Sequence, residues 1–341
     1  MRDTFTVQQS FPVPRPTTNP YLVMLAESID SLPGVTVRNF SWRGALLGRY
    51  DVFHVHWPEI LVAGHSPVKA LVRQGLTVAL LAKLGLTRTP IVRTLHNLEL
   101  PSGISRRERV LLRLFERRTA LWIRLNPETP VQDDRRYALI PHGHYRDWFA
   151  RYPAAEPTPG RVAYFGLIRR YKGVDALVDA FRDLPGDATL RVAGRPSTPE
   201  LADDLRRRAA GDERIDLTLR FLDDRELVET VSSASLVVLP YTEMHNSGGA
   251  LTTLSLNRPV LLPANPVNER LSAEVGAGWV YQYSGELTAE VLAATLRAVQ
   301  ERGPVDPPRL DDRDWHDAGM QHHSAYLAAA AAVAAKPRTE G

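Results

Sequence analysis

The stretch that decides the fold is RVAYFGLIRRYKGVD, which runs from residue 161 to residue 175. It begins with a short apolar run, passes through a basic loop and leads into an amphipathic segment. This order predicts a strand, a loop and a helix of an open parallel sheet, in which ligands bind beyond the carboxyl ends of the strands. Arg169 and Lys172 lie in that loop, where cations would stabilise a departing diphosphate. A solvated basic loop is the alternative interpretation.

The same alternation of short apolar runs and longer helical segments extends over the whole chain. Apolar strands that alternate with helices predict an α/β protein with doubly wound parallel sheets covered on both faces. We expect about six strands in each half of the sequence. The predicted strands are residues 5–9, 35–39, 52–56, 91–95, 121–125 and 138–141 in the first half, and 161–165, 188–193, 215–221, 236–240, 260–263 and 278–281 in the second.

The length of 341 residues predicts two domains, since a domain has about 150 residues. We place the first domain at residues 1–150 and a proline-rich linker at 151–160. The second domain follows at 161–310, and a last helix at 313–335.

The composition excludes several classes of protein. The chain has no cysteine, which rules out disulfides and thiolate metal sites and fits a reducing, cytoplasmic compartment. The longest apolar segment, 68–86, is interrupted by charged residues, so we expect no membrane span. A net charge of +3 without any RNA-recognition motif or basic tail gives no sign of a nucleic-acid partner.

A second signal in the second half follows the predicted strand 236–240. Ser247 stands where it could cap a helix, and a helix start with free N–H groups favours a diphosphate. Glu243, just upstream, could accept hydrogen bonds from sugar or ribose hydroxyls. A capped helix after an ordinary loop is the alternative. The candidate donor-binding residues of this segment are Tyr241, Glu243, His245, Asn246, Ser247, Gly248 and Gly249.

In the first half, the sequence HVHWPE at residues 54–59 ends a predicted strand. Strand alternation sends His54 and His56 to one face and Phe53 and Val55 to the other. Glu59 is expected in the following loop. Two such histidines also suit a metal, but no third ligand is evident nearby, and a buried, satisfied histidine is the alternative for His54.

Other histidines also stand near predicted strand ends. His96 closes one strand, His142 and His144 precede the linker near an expected cleft, and His245 lies in the second half. Clustering at strand ends favours a ligand-binding role for this group.

The segment 106–119 carries six arginines against two glutamates, together with apolar residues at helical spacing. It is compatible with an amphipathic helix on an anionic membrane surface. A solvated charged face is the more ordinary interpretation of such a segment.

Together these motifs resemble glycosyltransferases of the two-domain GT-B type, in the broad glycosyl group 1 and 4 superfamily. The 161–175 unit resembles the phosphate-binding loop of that superfamily, and the segment 243–260 resembles its donor-sugar segment. Thr94-Leu-His96 resembles its sugar-contacting histidine motif. The resemblance further implies donor contacts from Arg195, after the strand end at Gly194, and from Phe221 on the nucleobase side. It also implies that the last helix crosses back onto the first domain.

A narrower resemblance rests on the segments 19–21, 54–59, 96–98 and 141–145. They look like those of bacterial transferases that build lipid-linked exopolysaccharide units, in particular β-mannosyltransferases that use GDP-mannose. The resemblance implies a nucleotide-sugar donor as co-substrate, a saccharide or lipid-linked acceptor, and no required metal or other cofactor.

Two departures from the superfamily favour inversion of the anomeric centre. Thr252 stands where retaining members carry a second glutamate, and a proline-rich segment, 12–20, replaces the glycine-rich first loop. An inverting enzyme needs a base for the acceptor hydroxyl, and Glu59 is the first candidate, with His56 and His96 as further ones. Two alternatives stay open: a nucleotide-sugar 2-epimerase of the same fold, and a catalytically degenerate sugar-binding partner subunit.

Overall fold

The structure is a computed structural model of the chain. It describes residues 4–97, 103–130, 132, 134–242, 244–302 and 306–335. The chain forms two compact units: unit 1 contains Met1–Gly143 and Arg313–Gly341, and unit 2 contains His144–Asp312. The division therefore falls before the proline-rich segment 151–160, and Tyr145–Tyr152 belongs with the second unit.

Each unit is built on a parallel sheet of six strands, as the alternation predicts. In unit 1 the strand order is β2-β1-β3-β4-β5-β6, and in unit 2 it is β12-β11-β10-β7-β8-β9. The strands of unit 1 are β1 (Phe5–Gln9), β2 (Val35–Arg38), β3 (Val52–Val55), β4 (Ile91–Leu95), β5 (Thr119–Arg124) and β6 (Tyr137–Leu139). Those of unit 2 are β7 (Arg161–Phe165), β8 (Thr189–Ala193), β9 (Ile215–Thr218), β10 (Leu236–Val238), β11 (Val260–Pro263) and β12 (Val280–Tyr283).

The helices run in the same alternating order. Unit 1 contains α1 (Pro20–Asp30), α2 (Trp42–Leu47), α3 (Glu59–Val62), α4 (Pro67–Leu86) and α5 (Arg106–Arg118), and also α13 (Trp315–Ala334). Unit 2 contains α6 (Arg146–Phe149), α7 (Val174–Arg182), α8 (Pro199–Ala209), α9 (Asp224–Ser232), α10 (Gly248–Ser255), α11 (Pro266–Val275) and α12 (Ala289–Glu301). The last helix, α13, packs on α1 and on strands β4 and β5, within unit 1.

Four helices begin with the same sequence signal, a polar N-cap residue followed by proline. The caps are Asn19, Ser66, Thr198 and Asn265. Each cap side chain accepts a hydrogen bond from a backbone N–H of the first turn, and proline at the first position has no N–H to leave unpaired. For this reason α11 begins at Pro266, directly after its cap Asn265.

The strand order places a switch point in each sheet. In unit 1 the chain leaves β1 for β2 on one side and returns to β3 on the other, and in unit 2 the same happens at β7, between β8 and β10. Ligands of open parallel sheets bind beyond the strand ends at such points. The loops after β1 and β3, and those after β7 and β10, therefore occupy the binding positions of the two sheets.

Within the described residues, no helix combines the length and apolarity that crossing a membrane would require.

Candidate active site

Strand β3 separates its side chains as the alternation predicts. Phe53 and Val55 are buried in a core cluster with Leu80 and Leu84 of α4. The opposite face carries the two histidines of HVHWPE, His54 within β3 and His56 directly after it. This prediction is confirmed because a parallel sheet covered on both faces fixes which side each residue occupies.

His56 lies at the centre of a hydrogen-bonded group at the switch point of unit 1. Its Nδ1 is 3.1 Å from His96 Nε2, and its Nε2 is 3.2 Å from Gln9 Oε1. Its backbone N–H donates to Ser10 Oγ at 3.1 Å. His56 is only 2% exposed, so its ring is closed to direct contact from the surface.

His96 lies between His56 and the surface. Its ring stacks on Trp57 with centroids 4.1 Å apart and planes at 20°. The edge of Tyr21 meets it at a centroid distance of 5.2 Å. His96 is half-buried, in contrast to His56. It is therefore the more exposed histidine of this pair.

Burial lowers the pKa of His54, His56 and His96 well below the usual value, and the repulsion that a protonated ring would meet from neighbouring histidines, and from Arg93 in the case of His96, adds to the effect. Burial also lowers the pKa of His142 to about 4, against an opposing hydrogen bond to the Gly143 carbonyl. These rings are neutral at neutral pH. Each therefore has one N–H donor and one lone pair.

Several members of this group are not evident from local sequence. Gln9 comes from β1 and Tyr21 from α1, while α13 contributes His322 and Tyr326. Tyr326 Oη is 2.8 Å from His54 Nδ1, and His54 Nε2 is 2.8 Å from Thr94 Oγ1. One signal was available: His322 and Tyr326 are four apart, and polar side chains in the buried stripe of a helix indicate a polar neighbour.

The sequence predicts Glu59 in a loop, but it is the first residue of the short helix α3. Pro58 precedes it in helical conformation, so the chain turns directly from the strand end into a short helix. The carboxylate is half-buried. Burial raises the pKa of Glu59, and its own backbone N–H and the nearby Arg93 oppose that shift. Glu59 and Arg93 thus form a half-buried charged pair, and the charge of Arg93 also lowers the pKa of His96.

In unit 2, the loop after β7 closes tightly on its neighbours. Gly173 has φ +60°, and a Cβ there would lie 2.3 Å from the Pro240 carbonyl oxygen. A Cβ on Gly194, at the end of β8, would lie 1.7 Å from the carbonyl oxygen of Gly166. The strand ends therefore approach each other in a way that only glycine permits.

Lys172 is fixed by a neighbour from the next strand end. Its Nζ donates to Tyr241 Oη at 3.1 Å and lies 4.5 Å from the centroid of that ring. Burial lowers the pKa of Lys172 to about 8, and the charge of Arg169 contributes. Arg169 itself is exposed. Of the two cations predicted from the sequence, the Lys172 ammonium is thus hydrogen-bonded to Tyr241, and the Arg169 guanidinium lies at the surface.

The helix start predicted after β10 is present. Ser247 caps α10, and its Oγ accepts from the backbone N–H of Ala250 at 3.1 Å. Gly248 and Gly249 form the first turn, and a Cβ on Gly249 would lie 3.4 Å from Tyr241 Oη. The first turn of α10 is therefore next to the tyrosine that holds Lys172.

The remaining candidates are distributed as follows. His245 and Asn246 are half-buried in the loop before α10, and Glu243 lies outside the described residues. Arg195 follows β8 and is exposed. Strand β9 ends at Thr218, so Phe221 stands in the loop before α9 with 47% of its surface exposed.

The two histidines before the linker belong to different units. His142 packs on Tyr21 in unit 1, with ring centroids 4.5 Å apart. His144 opens unit 2, where its Nδ1 accepts from the Arg146 backbone N–H at 3.3 Å. The histidines expected to cluster are thus brought together only in part: His54, His56, His96 and His142 gather in unit 1, and His144 and His245 lie in unit 2.

The comparisons with known proteins agree with this geometry. The chain is 45% identical over 328 residues to a GDP-mannose:glycolipid 4-beta-D-mannosyltransferase of Xanthomonas campestris pv. campestris, covering 95% of this chain and 92% of that protein. The scan against protein-family models gives no match.

Solved structures show the same fold at low sequence identity. Anabaena HepE, crystallised with UDP and glucose, has a TM-score of 0.61 and 14% identity over 95% of this chain and 97% of its own. The catalytic domain of starch synthase IV from Arabidopsis thaliana has a TM-score of 0.62 and 10% identity over 96% and 99% of the two chains. The chain thus has the GT-B fold. It is a glycosyltransferase and belongs to the family of the GDP-mannose:glycolipid 4-beta-D-mannosyltransferase.

Proposed function

We propose that this enzyme transfers mannose from GDP-mannose to a glycolipid acceptor, with inversion and without a metal ion. The observation that carries the proposal is the 45% identity to the Xanthomonas transferase over 95% of the chain. In unit 2, Lys172 lies beside the capped start of α10, which supports binding of the nucleotide-sugar donor. In unit 1, the neutral pair His56 and His96 supports a reaction with the acceptor hydroxyl. A relative that is a transferase also favours this activity over the 2-epimerase and partner-subunit alternatives.

The donor diphosphate is assigned to unit 2. Lys172, Arg169 and the first turn of α10 supply an ammonium, a guanidinium and backbone N–H groups at adjoining strand ends. These groups stabilise the negative charge that develops as the bond from the anomeric carbon to phosphate breaks. Three such sources of positive charge support a reaction that does not depend on a divalent ion.

Further donor contacts are proposed on either side of the diphosphate. Glu243, His245 and Asn246 are assigned to the sugar, and Tyr241 to the placement of Lys172. Phe221 and Arg195 are assigned to the nucleobase side because they follow β9 and β8, the two strands on the same side of β7, and are exposed. His142 and His144 are also proposed to contact the donor.

Inversion follows from the chemistry of the proposed substrates. GDP-mannose carries its sugar in the α configuration, and a β-linked product requires attack from the opposite side. Thr252, which is 7% exposed within α10, supplies no carboxylate where a retaining relative would carry one. A base must then take the proton of the attacking hydroxyl.

We assign His96 as that base, with Glu59 as the competing candidate. His96 is neutral, reachable and oriented by two aromatic rings. Glu59 has a raised pKa, as a general base requires, but stands beside Arg93, which favours a charge-pairing role. His56, which is almost fully buried, is assigned to the support of His96.

The acceptor lipid is proposed to reach the enzyme at an anionic membrane surface on the cytoplasmic side. Helix α5 exposes its arginines together with Val110 and Leu114. Helix α4, which packs on α5, exposes a stripe of apolar side chains: Val68, Leu71, Val72 and Val78. Arginines that flank exposed apolar residues match the chemistry of a lipid headgroup layer.

The test is transfer from labelled GDP-mannose to a lipid-linked oligosaccharide in the presence of EDTA, with UDP-glucose and ADP-glucose as competing donors. We expect a β-mannosyl product from GDP-mannose alone, read by the anomeric coupling in NMR. An α-linked product would reject inversion, and loss of activity with EDTA would reject metal independence. Conversion of GDP-mannose without acceptor would favour the epimerase.

A further inference from the structure

The segment 242–247, which precedes α10 and carries the residues assigned to the donor sugar, is bonded to its neighbours at two points. At its start, the backbone N–H and the Oγ1 of Thr242 donate to the Tyr171 carbonyl in the loop after β7, at 2.8 and 3.0 Å. Two residues further on, Met244 is bonded to the start of α11. The segment thus lies between the loop assigned to the diphosphate and the helix that follows β11.

Two asparagines of the sequence ANPVNE, residues 264–269, make the contact from α11. Nδ2 of Asn265 donates to the Met244 carbonyl at 3.2 Å. Nδ2 of Asn268 donates to Met244 Sδ, also at 3.2 Å, and to the Pro263 carbonyl at 2.8 Å. The two amides therefore hold both the backbone and the side chain of one residue of the segment.

The hydrogen bond to the Met244 carbonyl has a directional consequence. That oxygen lies in the peptide plane that joins Met244 to His245, because a peptide unit is planar. A bond to the oxygen therefore fixes the direction in which the chain enters His245. The second bond restrains the thioether of a side chain that is otherwise flexible. Together the two bonds orient the chain just before the residues assigned to the sugar.

The stability of α11 does not require these contacts. Its cap uses Oδ1 of Asn265, which accepts from the backbone N–H of Asn268 at 2.9 Å. Serine and aspartate cap a helix about as well as asparagine does, but neither has an amide N–H to donate. Asn268 is only 2% exposed, and yet it gives one N–H to a sulfur atom, which is a weak acceptor. Asparagine at both positions therefore serves the placement of the segment.

We propose that Asn265 and Asn268 are positioning residues, which hold Met244 so that the chain after it contacts the sugar of the donor. The contact with the sugar rests on the proposed function, whereas the hold on Met244 does not. The diphosphate is assigned to Lys172 and the first turn of α10. The two asparagines therefore act on recognition of the sugar and not on recognition of the nucleotide.

The test uses substitutions at Asn265 that keep the helix cap. Asn265→Ser and Asn265→Asp retain a side-chain oxygen for the cap but lose the amide N–H. Asn268→Leu removes the buried amide. The matched control is Thr288→Asp, since Thr288 caps α12 in the same unit by accepting from the Val291 N–H at 3.4 Å. In the described part of the chain Thr288 makes no hydrogen bond to Met244.

Methionine NMR reports the hold on Met244 without any ligand. The chain has four methionines, so a ¹³C-methyl spectrum is simple, and Met244→Leu assigns the signal. We expect one sharp Met244 signal in the wild type. It should be displaced or broadened in Asn265→Ser and in Asn268→Leu, and unchanged in Thr288→Asp.

Calorimetry with GDP and with GDP-mannose separates the nucleotide from the sugar. In Asn265→Ser we expect the Kd for GDP-mannose to rise roughly fivefold, as for the loss of one hydrogen bond, and the Kd for GDP to change less than about twofold. At saturating donor kcat should also fall, because a sugar that is less well oriented is attacked less often. Asn265→Asp should show a larger effect of the same kind, since its carboxylate repels the Met244 carbonyl oxygen.

Equal losses of GDP and GDP-mannose affinity in Asn265→Ser would overturn the inference, since they indicate a general loosening of unit 2. So would an Asn265→Ser protein whose Met244 signal and GDP-mannose affinity match those of Thr288→Asp. If Asn268→Leu does not fold, the two Asn265 variants decide. If the wild type binds no GDP-mannose while the Met244 signal moves as expected, the hold on Met244 is confirmed and the mannosyl donor of the proposed function is rejected.

Discussion

The hydroxyl of Tyr326 lies 2.8 Å from Nδ1 of His54, a contact between residues 272 positions apart in the chain. It joins the last helix to the strand that carries the histidine pair, and both side chains are fully buried. Because Nε2 of His54 also bonds Thr94 at 2.8 Å, the ring is held at both nitrogens. The last helix thus supports the histidine group of unit 1.

Replacing Tyr326 with phenylalanine should destabilise unit 1. The ring is kept, but a buried histidine nitrogen loses its partner, which costs about 1–3 kcal/mol. Urea unfolding followed by circular dichroism measures the change. The control is Tyr137→Phe, since Tyr137 is 51% exposed and its ring, which Arg124 covers, is retained. Equal stability of the two variants would show that the Tyr326–His54 bond contributes nothing.

Unit 1 should lose stability in mild acid. Burial lowers the pKa of His142 and His322 from 6.5 to about 4 in the folded protein. Between these values the unfolded chain binds protons that the folded chain does not, so stability falls as pH decreases from about 6.5 to about 4. The slope is about 1.4 kcal/mol per pH unit for each such histidine.

The measurement is the free energy of unfolding at several pH values in that window. Replacing His322 with leucine removes one titrating ring. The slope of the unfolding free energy against pH should then fall by about 1.4 kcal/mol per pH unit, which corresponds to one proton. The control is His65→Leu at an exposed position, which leaves the buried group intact. An unchanged slope in His322→Leu would contradict the role of this ring.

Donor affinity should fall as pH rises through about 8, the pKa to which burial lowers Lys172. Above that pH the folded protein holds a neutral amine, which attracts a diphosphate less than an ammonium does. Binding of GDP near pH 8 should therefore take up a proton, and calorimetry in buffers of different ionisation enthalpy measures it. Lys172→Arg keeps the charge and should abolish the uptake. Equal proton uptake in both proteins would assign it to another group.

Adding one methyl group at two glycines should have opposite effects. In Gly194→Ala, Cβ meets the Gly166 carbonyl oxygen, so the loop after β7 must shift. We expect lower stability and weaker GDP binding. In Gly75→Ala, Cβ meets nothing within 4 Å in helix α4, and alanine there stabilises a helix by about 0.5–1 kcal/mol. Thermal unfolding and GDP titration measure both, and a Gly194→Ala protein with normal GDP affinity would argue against this loop as the diphosphate site.

Membrane binding should depend on the apolar stripe of α4. Leu71 is 59% exposed, so Leu71→Glu should leave the fold intact but weaken binding to vesicles that contain anionic lipid. Leu327→Glu is the control, at a position of α13 with 49% exposure. Flotation with anionic and with neutral vesicles distinguishes the contribution of charge to membrane binding from that of apolar contact. Equal flotation of the two variants would place the membrane contact elsewhere.

The sequence by itself determined the local secondary structure and the face of each strand on which a side chain lies. Strand alternation placed His54 and His56 opposite Phe53, and cap-plus-proline pairs marked helix starts at Pro20 and Pro67. These features depend on neighbours within a few residues, and period-two and period-3.6 patterns report them directly. The cationic loop after β7 and the helix cap at Ser247 could be predicted from the sequence for the same reason.

Only the tertiary structure decided which side chains complete each site. Gln9 and Tyr326 reach the histidines from opposite ends of the chain, and Tyr241 reaches Lys172 from another strand. No local period encodes such contacts, because they depend on strand order and on how distant elements pack. Glu59 illustrates the limit: its place after a strand was readable, but the short helix that starts there, and the Arg93 beside it, follow from packing in unit 1.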